Sequence, residues 1–154
     1  MKVHSKLEMG DLLYRSKGVV AHAGVYLGAD RVLHIQPGAR AATVPFQQYA
    51  DGKMVAVKRQ GVQRNGFSRR LLEISQSQAT YSLTSNNCEH TAYYLTSGER
   101  VSPQLQAALG LGFLGGVLAA KGKMSNFLAG AGIAGIAALL VSNANRKYDF
   151  TLQP

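Results

Sequence analysis

Between Leu105 and Val141 the chain carries almost no charge, and this limits its fold more than any other stretch. Leu105–Ala120 and Phe127–Val141 hold no charged side chain and consist mainly of Gly, Ala, Leu and Ile, with Lys121-Gly122-Lys123-Met124-Ser125-Asn126 between them. Each run falls a little short of the roughly 20 residues that cross a bilayer at about 1.5 Å per residue, so length permits spanning without requiring it. Gly110, Gly112, Gly115 and Gly116, then Gly130, Gly132 and Gly135, would let two helices approach closely, as small residues do in membrane helix pairs. In water each would cost about 1 kcal/mol of helix stability relative to alanine. A glycine-rich helical hairpin over residues 105–143, associated with a membrane, is expected. A buried soluble helix pair and an oligomerisation element are the alternatives. Arg146 and Lys147 follow the second run, so cations stand at the middle and the far end, and charge asymmetry decides little about orientation.

The remainder divides into residues 1–104, enough for one compact domain, and a polar tail over 144–154. Met1–Gly10 is polar and charged, so no secretory signal is expected. A single cysteine cannot make an internal disulfide. Together these place the protein on the cytoplasmic face of a membrane, or in the cytoplasm with reversible membrane binding. The formal net charge is +9, from 17 Lys plus Arg against 8 Asp plus Glu, which favours an anionic partner such as a phospholipid headgroup layer. The densest basic stretch, Lys53–Arg70, has a solvated face as its plain reading. No nucleic acid is expected, because finger spacing, tryptophan and aromatic-basic interleaving are all missing. Oligomeric state is not legible.

Gly10–Tyr14 reads as a turn into a short strand, and Val19–Leu27 as a largely apolar second strand after Lys17-Gly18. Arg31–Ile35 forms a third, so residues 19–35 make a β-hairpin with its loop at Gly28–Asp30. Thr43–Phe46 reads as an edge segment because of Pro45, and Met54–Lys58 as a fourth strand. Over Ser68–Ala79 the spacing of Leu71, Leu72, Ile74, Ser75 and Gln78 changes to that of a short amphipathic helix. Tyr81–Asn87 breaks it. A second helix is expected over Cys88–Thr96, ending near Ser97-Gly98 on a glycine cap, and Pro103 closes the region.

Asn86-Asn87-Cys88-Glu89-His90 marks that helix start. Asn86 as the cap and Glu89 three residues later form a capping box, which puts Cys88 in the first turn, where amides and the helix dipole favour thiolate. The alternative is a small buried hydrophobe. A cysteine nucleophile needs a base and a group to orient it. His4 sits in the N-terminal segment, and His90, two positions after Cys88 on one helix, points away from it. His22 and His34 lie on adjacent strands, and whether they share a face depends on register. A metal site formed by His22, His34 and Cys88 lacks an anchoring CxxC or HxxxH pair, so neither metal nor other cofactor is expected.

Gly10-Asp11-Leu12, the run from His22-Ala23-Gly24-Val25-Tyr26 to Leu33-His34, and Tyr81–His90 with its Asn-Cys-Glu-His block resemble, in order and spacing, the motifs of the lecithin:retinol acyltransferase family over about residues 8–102. The resemblance implies an α+β, circularly permuted papain-like fold, an antiparallel sheet packed on the nucleophile helix. It implies Cys88 as nucleophile, His22 as general base and His34 as the residue orienting the imidazole, with Tyr26, Asn87 and His90 as oxyanion or supporting residues. Family members act on phospholipid or other acyl esters. Two departures shrink side chains beside the nucleophile: Thr91-Ala92 where an apolar aromatic is usual, and Ala23 where an aromatic is frequent.

A cysteine-dependent acyltransferase or phospholipase A-like hydrolase, working through a thioester, is therefore expected. The alternatives are a papain-like amidase or peptidase, and a non-catalytic membrane-perturbing protein in which the tail is active.

Overall fold

The structure, a computed structural model, describes residues 6–18, 20–62, 64–82 and 87–153, Arg64 by its backbone alone; His4, Val19 and Asn86 lie outside them. The protein is α+β. Strands β1 (Leu12–Lys17), β2 (Val20–Gly28), β3 (Arg31–Ile35), β4 (Ala41–Pro45), β5 (Val55–Lys58) and β6 (Phe150–Leu152) form one sheet in the order β4-β3-β2-β1-β5-β6. The pairs β2–β3, β3–β4, β1–β5 and β5–β6 are antiparallel. Pro45 lies on the edge strand, where a missing ladder donor costs least. Helices α1 (Phe46–Ala50), α2 (Arg64–Gln76) and α3 (Cys88–Ser97) complete this unit, which comprises residues up to Ser16, Ala21–Val101 and Lys147 onward. The second unit, Ser102–Arg146 with Lys17–Val20, holds α4 (Pro103–Ala120) and α5 (Met124–Ala144).

Side-chain alternation along β2 and β3 divides the core between the two faces of the sheet. Ala21, Ala23, Val25 and Leu33 pack with Leu12, Ile74 of α2, and Ala92 and Leu95 of α3. Tyr26 and Val32 pack with Leu13, Val55, and Phe46 and Tyr49 of α1. Neither α1 nor β6 stands out in the sequence. Both contribute to the second cluster.

Three boundaries differ from expectation for local reasons. Asn65 (ψ 108°) and Gly66 (φ 93°) leave helical geometry near the start of α2, so its regular turns begin only after them. Pro103 opens α4 instead of closing the preceding region: it occupies the first turn, where its missing amide costs nothing, and Ser102 caps the Leu105 amide at 3.3 Å. The tail returns to the sheet, with Val55↔Leu152, Ala56↔Thr151 and Val57↔Phe150 in register.

Within the second unit the glycines explain how α4 meets α5. A Cβ on Gly115 would stand 2.3 Å from Ala134 Cβ, and one on Gly130 would stand 2.6 Å from the Gly115 carbonyl oxygen. The two backbones touch, so any larger residue here would push them apart.

Candidate active site

The register of β2 and β3 pairs His34 with Gly24, two residues beyond His22, so the histidines face the same side diagonally, not level. That offset suffices: His22 Nε2 and His34 Nδ1 are 2.9 Å apart, a hydrogen bond in which the tautomers decide the donor. The rings meet edge to face at 5.2 Å and 84°, and both are buried.

Tyr49 of α1 holds this pair and was not singled out by the sequence. Its ring stacks on His22 at 5.7 Å and meets His34 edge-on at 5.6 Å. Its hydroxyl lies 2.8 Å from the carbonyl oxygens of both His22 and Leu13, which share its single proton. Gly24 makes room for it, since a Cβ there would be 2.7 Å from the Tyr49 ring. Burial above all pushes the Tyr49 hydroxyl well up, so it stays a proton donor. The only hint in the sequence was the spacing of Phe46 and Tyr49 in an otherwise polar run.

Cys88 is the first residue of α3, which packs on the opposite sheet face from α1. Its sulfur lies 3.9 Å from the Ala21 carbonyl oxygen, and the Ala23 amide faces it as well. The sulfur thus meets β2 at the residues on either side of His22. The cap, however, is Asn87 and not Asn86: the Asn87 side chain accepts from the His90 amide at 3.0 Å. Glu89 falls in the first turn and is buried. The ionisation of Cys88 also departs from expectation. Burial pushes the thiol up, outweighing the amides of Ala23, Glu89 and Cys88 itself that pull it down. The dipole-favoured thiolate is therefore not the resting form, and the sulfur needs a base to become a nucleophile.

The three supporting candidates take different places. Asn87 is the helix cap. The His90 ring is buried, its Nδ1 without a hydrogen-bond partner among the described residues, and burial lowers its pKa, which favours the neutral ring. Tyr26 lies four positions, about 13 Å, along β2 from His22, and its hydroxyl accepts from the Asp30 amide at 3.2 Å. That bond braces the hairpin turn. Thr91, one turn after Cys88, and Ile35, next to His34, line a pocket with Ala41, Ile74, Tyr94 and Arg100. The small residue after the Asn-Cys-Glu-His block thus opens onto space. Within the basic stretch, Arg70 is buried and donates to the Leu95 carbonyl at 3.0 Å, so that run is not wholly a solvated face.

The chain belongs to the lecithin:retinol acyltransferase-like family. It is 30% identical to the human protein phospholipase A and acyltransferase 2 over 146 residues, covering 79% of this chain and 90% of that protein. No family model matches the chain.

Proposed function

We propose that the protein is a lipid acyl hydrolase or acyltransferase in which Cys88 is the nucleophile, His22 the general base and His34 the residue that orients His22. The observation that carries this reading is the 2.9 Å contact between His22 of β2 and His34 of β3, with the Cys88 sulfur 3.9 Å from the carbonyl oxygen of Ala21, next to His22. The name of the human relative, phospholipase A and acyltransferase 2, points to the same substrate class.

Nε2 of His22 bonds to His34, so in this reading Nδ1 is the nitrogen that serves as base. It takes the Sγ proton as sulfur bonds to the ester carbonyl carbon. The amides of Cys88 and Glu89, which face the sulfur, hold the oxyanion of the tetrahedral intermediate. The carbon–oxygen bond then breaks, imidazolium protonates the departing alcohol, and the acyl group remains as a thioester. Water or an acyl acceptor, deprotonated by His22, attacks the thioester and releases the thiol. In papain-like enzymes the cysteine precedes its histidine in the chain. Here His22 and His34 precede Cys88, so we read the catalytic unit as a circularly permuted papain-like fold.

The hairpin of α4 and α5 is read as membrane-embedded, since both helices are long and apolar enough to cross a bilayer and expose leucine and isoleucine along their length. The net charge of +9 suits an anionic cytoplasmic headgroup layer. The test is fatty-acid release from phosphatidylcholine vesicles. Wild-type protein is expected to release acyl groups and Cys88→Ala to release none; a fully active Cys88→Ala would remove the proposal.

A further inference from the structure

The last strand dictates how the hydrophobic hairpin can enter a bilayer. β6 pairs with β5, the Asp149 amide donates to the Val57 carbonyl at 2.8 Å, and the Asp149 carboxylate accepts from the Arg59 amide at 2.7 Å. Leu152 is buried in the core beside Val55 and Val57. The residues before α4 and those after α5 therefore belong to one sheet, and a membrane cannot divide a hydrogen-bonded sheet. Any passage through the bilayer must happen an even number of times.

We propose that α4 and α5 cross the membrane as a pair, entering and leaving on the side that holds Cys88, and carry the Lys121-Gly122-Lys123 turn to the opposite headgroup layer. This rests on the membrane reading above and adds its topology. The 18 residues of α4 and 21 of α5 rise about 27 and 31 Å, against a hydrocarbon core of about 30 Å. A helix lying flat in the interface needs a polar face, and this pair has none. Leu111, Leu114 and Leu118 on α4 and Ile133, Ile136 and Leu140 on α5 are each at least 50% exposed, and no charged residue lies between Leu105 and Ala120 or between Phe127 and Val141. The backbone contacts at Gly112, Gly115 and Gly130 bind the helices to each other, so neither inserts alone. Cations stand where each headgroup layer would be: Lys121 and Lys123 at the turn, Arg146 and Lys147 at the exit. The anchor is thus inserted within the fold, and the catalytic unit is tethered at two points.

Cysteine labelling reads this directly. In full-length protein carrying Cys88→Ser, single cysteines are introduced as Lys53→Cys, Lys123→Cys and Thr151→Cys, all exposed positions. Membrane vesicles of one orientation from expressing cells are treated with an impermeant maleimide before and after detergent. Lys53→Cys and Thr151→Cys are expected to react from the same side, and Lys123→Cys only from the other. Opposite labelling of Lys53→Cys and Thr151→Cys, or same-side labelling at all three, overturns the paired crossing. If alkaline carbonate strips the protein from the vesicles, the membrane reading itself fails, and the paired crossing with it.

Discussion

Nε2 of His22 and Nδ1 of His34 are joined at 2.9 Å although their residues are two positions out of step, His34 lying opposite Gly24. A diagonal pair is held only if something fixes both rings, and Tyr49 does so by stacking on one, abutting the other and bonding to the His22 carbonyl.

Replacing the base is expected to cost more than replacing its partner. His22→Ala should lower kcat about 10²- to 10⁴-fold, the usual worth of a positioned general base. His34→Ala should lower it by roughly 10- to 100-fold, as loss of a group that orients a functional imidazole does. His34→Gln, which keeps a donor and an acceptor, should recover part of that loss. The pH profile of kcat/KM separates an orienting role from a structural one, since only the former shifts its lower limb.

Tyr49→Phe removes one hydroxyl and leaves two buried carbonyl oxygens without it. A loss of about 1–3 kcal/mol is expected, read from the midpoint of denaturant unfolding. The ring stays, so activity should fall less than with His34→Ala.

The raised thiol gives a pH dependence with a definite sign. Below the unfolded-state pKa of about 8.5, Cys88 is protonated folded or unfolded and contributes nothing to the slope. Above it the unfolded chain releases the proton while the folded protein retains it, so the unfolded state binds fewer protons and stability falls as pH rises. Cys88→Ala should flatten this part of the curve between pH 8 and 10. In the wild type, alkylation by iodoacetamide should keep rising across the same range.

Substitution within α5 should distinguish the face that touches α4 from the open one. Gly130→Ala puts a Cβ within 2.6 Å of the Gly115 carbonyl oxygen, whereas Gly132→Ala meets nothing within 4 Å. The first is expected to destabilise the helix pair by about 1–3 kcal/mol and the second to stabilise it by up to about 1 kcal/mol. Thermal unfolding in detergent, followed by circular dichroism, reads both.

The sequence carried the parts of the fold that depend on local pattern. Apolar runs on either side of Gly28–Asp30 marked β2 and β3, a compositional break marked the hydrophobic helix pair, and Gly98 marked the end of α3, where it adopts φ 84°. What depends on distant partners was less legible. The register that makes His22 and His34 diagonal is set by β3 and its neighbours, and β6 is a strand only because β5 offers it an edge. Asn86 and Asn87 are both good caps, and backbone geometry, not composition, chose the second. The thiol's ionisation was misjudged because the helix start was visible in the sequence while the burial around Cys88 was not.

Intact-protein mass spectrometry after rapid acid quench of a reaction with phosphatidylcholine vesicles tests the chemistry most directly. A mass increase of one fatty acyl group, mapped to Cys88, removed by neutral hydroxylamine and missing from both Cys88→Ala and His22→Ala, is the expected result. Acyl release by the wild type with no hydroxylamine-sensitive adduct on Cys88 at any quench time would contradict a thioester mechanism at this site.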